Sequence, residues 1–266
     1  MNWELLDWTI LGPAVVAGLL VLTTHVPLGA EVLKRGIVFI DLAIAQVAGL
    51  GVIAAATFGW EEHGWQVQAA AVSAALIAAA GLNWTERRWA RLQEPLIGTV
   101  FVLAATGGIL LLAKNPHGGE HLKDLLVGQI LWSTWATLTP IAALYAVLGI
   151  LWGPLRHRLG RAGFYVIFAC AVTASVQVVG VYLVFASLII PALATEALRG
   201  RGRLAVAYAI GAASYVIGIL LSALLDLPTG ALTVWTMALT GILAGLLIGR
   251  HARSAAPQDV EPSVRR

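Results

Sequence analysis

The chain has 266 residues, of which 59% are hydrophobic and only 12% charged, against about 25% charged in ordinary soluble domains. With a mean hydropathy of +0.84, too few polar side chains remain to cover a water-facing surface, which excludes a soluble enzyme. The pI near 9.3 does not point to nucleic acid, because the basic residues sit in short clusters between apolar runs, where membrane topology accounts for them.

A bilayer-spanning helix needs about 20 mostly apolar residues. The first such run is Trp8 to Val26. Glu4 and Asp7 precede it and no Lys or Arg does, the wrong flank for a cleaved signal peptide, so it reads as a retained span. Further runs cover Ile37 to Phe58, Trp65 to Trp84, Pro95 to Ala113 and Ser133 to Trp152. A longer stretch, Phe164 to Thr195, is followed by Leu204 to Leu225 and Thr229 to Gly249. Residues 1–250 read as one transmembrane domain, and 251–266 as a polar cytoplasmic tail without fixed structure.

Lys and Arg in the loops set the orientation. Lys34/Arg35, Arg87/Arg88/Arg91, Arg156/Arg158/Arg161 and Arg199/Arg201/Arg203 alternate with connections poor in basic residues, apart from Lys114 and Lys123. This places the N-terminus outside and the C-terminus inside. Arg clusters flank Phe164 to Thr195 on both sides, so the stretch must cross an even number of times. Its 32 residues would reach about 48 Å as one helix, too long for a simple span. Two short or broken helices turning near Ser175 to Gly180 satisfy both constraints. The fold expected is therefore an all-α polytopic bundle with nine crossings, or eight if that stretch crosses once. Trp8, Trp60, Trp65, Trp84, Trp89 and Trp152 mark the run boundaries, as an interfacial aromatic belt requires. Gly241, Gly245 and Gly249 repeat every fourth residue, and Gly49/Gly51 and Gly107/Gly108 interrupt two other spans. Small faces of this kind serve close helix packing within the bundle or between subunits. Pro140 and Pro191 are expected to kink their helices.

Ionisable groups inside the membrane are costly and hence functional candidates. Asp41, in GIVFIDLAIAQVAGLGV, can bind a cation in transit or pair with a helix end. Gln46 lies deeper in the same span. His25, near the inner end of the first span, reads as structural, and Asp226 before LPTG as a turn former. Cys170 is the single cysteine and reads as a small buried hydrophobe. Two outer loops carry His and carboxylate groups that suit zinc or manganese: Glu61, Glu62 and His63 in one, His117, Glu120, His121 and Asp124 in the other. The Gly118–Gly119 pair argues against a helix in the second. No Gly-rich Lys-Ser/Thr phosphate loop is present, so if the chain moves something uphill its energy source lies elsewhere.

Several stretches resemble the permeases of zinc/manganese-type metal ABC transporters. They are PLGAEVLKRGIVFIDLAIAQVAGLGV, EPLIGTVFVLAATGGILLL, LLVGQILW, VVGVYLVFASLIIPALATEAL and LSALLDLPTGALTV, and together they cover most of residues 27 to 249. The resemblance implies an all-α multi-pass subunit of the cell inner (cytoplasmic) membrane, paired as a homodimer. It implies two partners, a cytoplasmic ABC ATPase and an extracytoplasmic metal-binding protein, with a divalent metal as substrate and no permanently bound cofactor. On this reading Asp41, Gln46 and Gln129 shape the path, while His117, Glu120, His121 and Asp124 receive metal at the outer mouth. Arg156, Arg158 and Arg161 face the ATPase. Three departures stand out. Gln46 occupies the family's His position, with Asp41 one residue ahead of the usual Asp. Gln129 replaces the Asp of a GDIL motif. Only PLRHRLGRAG stands where the family carries an extra cytoplasmic helical segment. The departures motivate a second reading, a diverged member that is no longer ATP-coupled and serves as a regulatory or scaffolding membrane protein.

Overall fold

In the computed structural model, the described residues are 8–60, 64–113, 118–200 and 202–254. They form nine α-helices: α1 (Trp8–Arg35), α2 (Ile40–Thr57), α3 (Trp65–Arg88), α4 (Gln93–Leu112), α5 (Gly118–Val127), α6 (Trp135–Leu159), α7 (Arg161–Ala194), α8 (Gly202–Leu225) and α9 (Thr229–Ser254). Two 3-10 turns, Ala90–Leu92 and Ile130–Trp132, join helices. All but α5 are long and apolar enough to cross a membrane, which gives eight candidate spans among the described residues when α7 is counted once.

α7 is the core of the bundle. Its 34 residues contain one non-helical position, Gly180 (φ 78, ψ 163), which divides it into 161–179 and 181–194. Both halves return to one end of the bundle. Near the start of α7, Phe164 receives the Arg35 guanidinium 4.2 Å above its ring. Near its end, Leu188 and Ala192 lie against Gly29, two turns before Arg35 on the same helix. Gly180 itself sits toward the opposite end, against the backbone of Val127 and Gly128. α7 is thus a hairpin, as the Arg clusters on both flanks require, and its break falls at Gly180 and not at Pro191.

The hairpin brings cationic residues together. Arg35 lies against Phe164, Gln93 at the α3–α4 turn reaches Tyr165, and Arg203 donates to the Ala192 carbonyl at 3.2 Å. Lys34, Arg35, Arg87, Arg88, Arg158, Arg161 and Arg203 therefore share one end, called here the Arg-rich end.

Three boundaries differ from expectation. α1 does not stop at Val26 but runs to Arg35 through Pro27. Proline at 27 frees the Thr23 carbonyl four residues back, and the Tyr208 hydroxyl donates to that oxygen at 3.2 Å. α9 continues to Ser254, so residues 251–254 are helix and not tail, while 255–266 lie outside the described residues. A helix forms from Gly118 despite the Gly118–Gly119 pair. Asp226 is the turn former expected, at φ 55.

Small residues pack the bundle from within. A Cβ at Gly241 would lie 2.5 Å from Ile190, and Gly245 faces Ala194, so that stripe packs α9 onto α7, while Gly249 faces open space. Buried hydroxyls add interhelical hydrogen bonds. Ser187 meets Tyr215 at 2.8 Å, Ser214 meets Thr240 at 2.6 Å, and Tyr145 pairs with Ser175. In lipid such bonds are worth roughly 0.6 kcal/mol each on average. Trp8, Trp60, Trp65, Trp84 and Trp89 are exposed near helix ends, while Trp152 is half-buried at the Arg-rich end.

Candidate translocation site

Asp41 is the second residue of α2 and is fully buried at the Arg-rich end of that helix. Neither carboxylate oxygen meets a hydrogen-bond donor at good geometry. Its position in the first turn is favourable, because the helix dipole stabilises negative charge there. Phe39, the residue before α2, offers no side-chain cap. The helix end thus accounts for tolerance of an acid at this place. It does not account for a carboxylate kept away from both water and a counter-ion, which costs free energy.

Gln46 does not join Asp41. Five residues of helix rotate a side chain by about 140°, so the two groups face different sides of α2. Gln46 is half-buried and lines a cleft together with Gly49, Leu50 and Ile53 of α2, Ala104, Ala105 and Gly108 of α4, Leu122, Leu125 and Leu126 of α5, and Val181.

Gln129 is exposed and follows Gly128, where α5 ends against Gly180. It belongs to the junction between α5 and α6 and is remote from Asp41 along the bundle. The structure therefore spreads Asp41, Gln46 and Gln129 over three levels and does not gather them into one shell.

The residues expected at the outer mouth fall on α5 or just before it. His117 lies outside the described residues, as do Glu61, Glu62 and His63. Glu120, His121 and Asp124 fall within the α5 helix. Asp124 is exposed. Among the described residues no group of three or more His, Cys, Asp or Glu is placed to hold a metal ion.

At the Arg-rich end, α6 runs to Leu159 and α7 starts at Arg161, with only Gly160 (φ 53) between them. Arg156 lies in the last turns of α6, and Arg158 and Arg161 are exposed beside Gly160. At the same end a groove opens between the end of α1, Trp152 of α6 and the α7–α8 connection. Glu31, Lys34, Glu196 and Arg203 line it. Sequence reading missed Trp152, Glu196 and Arg203 as a set. Trp152 is far from Glu196 and Arg203 in the chain, and the α7 hairpin brings them together.

His25 is fully buried. Its Nδ1 lies 3.0 Å from the Val21 carbonyl oxygen, which can only accept, so Nδ1 carries the proton and donates. Nε2 has no partner. The bond to its own helix agrees with the structural reading of this residue.

Comparison with known proteins places these features. The family model described as "ABC 3 transport family" matches residues 7–159 and 153–248. The two matches overlap at 153–159. No curated protein matches the sequence. Among solved structures, PsaBC from Streptococcus pneumoniae in complex with Fab is 19% identical with a TM-score of 0.73, covering 92% of this chain and 95% of that one. An inward-facing ABC transporter described as of the metal-chelate type is 18% identical with a TM-score of 0.65, covering 92% of this chain and 89% of that one. At such identities the likeness establishes the fold. The family match spans well over half of the sequence, and the chain belongs to the ABC 3 transport family.

Proposed function

We propose that this chain is the membrane permease subunit of an ABC importer for a divalent transition metal: zinc, manganese or iron. The observation that carries the reading is the family match along the whole bundle. The fold shared with PsaBC and with a transporter of the metal-chelate type supports it. Asp41 adds a chemical reason, since a carboxylate hidden in a membrane bundle without a partner suits transient cation binding better than packing. Gln46, in the cleft on another side of α2, and Gln129, at the α5–α6 junction, supply amide oxygens at two further levels of the bundle, and Asp124, Glu120, His121 and His117 receive the ion at the outer mouth.

The chain has no nucleotide-binding motif, so a separate cytoplasmic ATPase drives the cycle, and an extracytoplasmic metal-binding protein delivers the ion. The permease works as a homodimer in the cell inner membrane, with the Arg-rich end in the cytoplasm. The ATPase rests against Arg156, Arg158 and Arg161 and the adjoining groove at Trp152, Glu196 and Arg203.

The test is cellular zinc, manganese and iron content in a strain lacking this gene but keeping the ATPase and binding-protein genes. Loss of one metal, restored by the intact chain, supports the reading. Unchanged content of all three contradicts it. The second reading, a family member uncoupled from ATP, is favoured by one observation: Gly160 alone separates α6 from α7. Purification in mild detergent separates the two, because a coupled permease carries its ATPase through the column and an uncoupled one does not.

A further inference from the structure

The basic residues at the Arg-rich end are not used alike. Arg35 donates to Glu31 at 3.0 Å and lies over the Phe164 ring, and Arg203 donates to the Ala192 carbonyl. These two cations serve contacts within the bundle. Arg87, Arg88 and Arg91, at the corner between α3 and α4, are exposed, and none of them has an ion-pair partner among the described residues. The acids of the same corner turn the other way. Oε2 of Glu86 and both carboxylate oxygens of Glu94 are buried, and Glu86 lies beside the Tyr165 hydroxyl. The corner therefore separates its charges, with carboxylates inside and guanidinium groups outside.

The corner is also firmly tied. Gln93, the first residue of α4, is 3% exposed and donates from Nε2 to the Leu82 carbonyl at 3.0 Å and to the Tyr165 hydroxyl at 3.3 Å. Its Oε1 accepts from the Thr85 hydroxyl at 3.0 Å, and the Trp89 amide returns to the Thr85 carbonyl at 2.7 Å. One buried amide thus joins the last turns of α3, the start of α4 and α7. Beside the arginines three large apolar side chains are exposed: Trp84, Trp89 and Leu92. The two indoles pack edge to face with centroids 5.2 Å apart. Indoles favour the boundary between acyl chain and headgroup, and a guanidinium grips a phosphate through paired N–H bonds. An acidic protein surface would match the arginines and leave the indoles and Leu92 unused. The α6–α7 turn lacks this combination: Arg158 and Arg161 are exposed, but Trp152 of the same helix pair is half-buried.

We propose that the α3–α4 corner is a binding site for an anionic phospholipid: Arg87, Arg88 and Arg91 hold the headgroup phosphate, and Trp84, Trp89 and Leu92 lie along its acyl chains. The site rests on the Arg-rich end facing the anionic cytoplasmic leaflet. It owes nothing to the ion carried, so it stands or falls apart from the import reading.

The experiment uses the purified full chain in an uncharged detergent. Native mass spectrometry reads the apparent affinity for the first bound lipid, with dioleoylphosphatidylglycerol as the probe and dioleoylphosphatidylcholine as the comparison of zero net charge. Phosphatidylglycerol is expected to bind about tenfold more tightly or better. Each of Arg87→Gln, Arg88→Gln and Arg91→Gln should weaken it roughly fivefold, the worth of one cation near an anionic surface, and the three together should abolish the preference. The single variants keep the reading available should the triple variant fail to fold. A charge-matched control, Arg158→Gln with Arg161→Gln and Arg199→Gln, should change the affinity less than about twofold. Trp84→Ala with Trp89→Ala should weaken both lipids alike and leave their ratio unchanged. Equal binding of the two lipids by the parent chain overturns the site, and so does an equal loss in the charge-matched control. Displacement of phosphatidylglycerol by sodium phosphate at the same concentration also overturns it, since the arginines would then hold a free anion. An intact preference in the α3–α4 variants, with loss of the co-purifying ATPase, would give the face to the ATPase instead.

Discussion

α7 and α4 are both strongly apolar, yet 67% of the α7 span is buried inside the bundle and only 17% of the α4 span. In water, hydrophobicity would send both inward. In a bilayer the lipid is as apolar as the protein interior, so hydropathy marks what enters the membrane and not what enters the core. What separates the two helices is the means of close approach. α7 carries Ser175 and Ser187, bonded to tyrosines of other helices, and Gly180, where another backbone fits. α4 turns Val102, Leu103, Ile109 and Leu110 outward and packs through the narrow face of Ala104 and Gly108.

That contrast breaks most sharply at Gly180. Gly180→Val combines an extended positive-φ backbone position open essentially to glycine alone, costing roughly 1–3 kcal/mol for an L side chain, with a collision against the Gly128 nitrogen. Loss of the monodisperse species on size-exclusion chromatography in detergent is the expected result. Gly149→Val on α6, where nothing lies within 4 Å, should elute as the parent does. Equal behaviour of the two variants would show that the close contact of Gly180 with Gly128 is not a structural requirement.

Asp41→Asn separates function from packing. The amide keeps the shape and removes an acid whose oxygens meet no donor at good hydrogen-bond geometry. Thermal stability in detergent should therefore hold or rise, while metal uptake in the complemented strain falls to that of the deletion. Normal uptake by this variant would remove Asp41 from the path. Smaller again is Tyr215→Phe, which deletes the bond to Ser187. A loss between about 0.6 and 1.7 kcal/mol is expected from membrane hydrogen bonds, read as a lowered unfolding midpoint. Leu110→Ala on the outer face of α4 closes the series, with a change within about 0.5 kcal/mol. A larger cost there would mean that the exposed face of α4 is covered in the native assembly.

The membrane class and the helix order were legible because hydrocarbon length and loop charge are local properties. The return of α7 was legible too, because Arg161 and Arg203 on one side of a bilayer force an even number of crossings. α5 was not legible. Two glycines and a polar segment read as a loop, and only the backbones of Gly180 and Gly230, packed against Gly128 and Val127, reveal why a short helix is held there. The extension of α1 past Pro27 was hidden for a similar reason, since the group that satisfies the freed Thr23 carbonyl is Tyr208, far away in sequence. Asp41 stood out as a lone acid in an apolar run. Its separation from Gln46 around α2 became plain once the bounds of the helix were known.

The measurement closest to the central claim is ATP-dependent uptake of zinc, manganese and iron into proteoliposomes. These would hold the chain with its co-purified ATPase and the binding protein, and wild type would be compared with Asp41→Asn. Accumulation of at least one metal by the wild type, absent without ATP and absent in the variant, is what a metal permease with a carboxylate in its path must give. ATP turnover by the assembled complex with none of the three metals accumulating would contradict it.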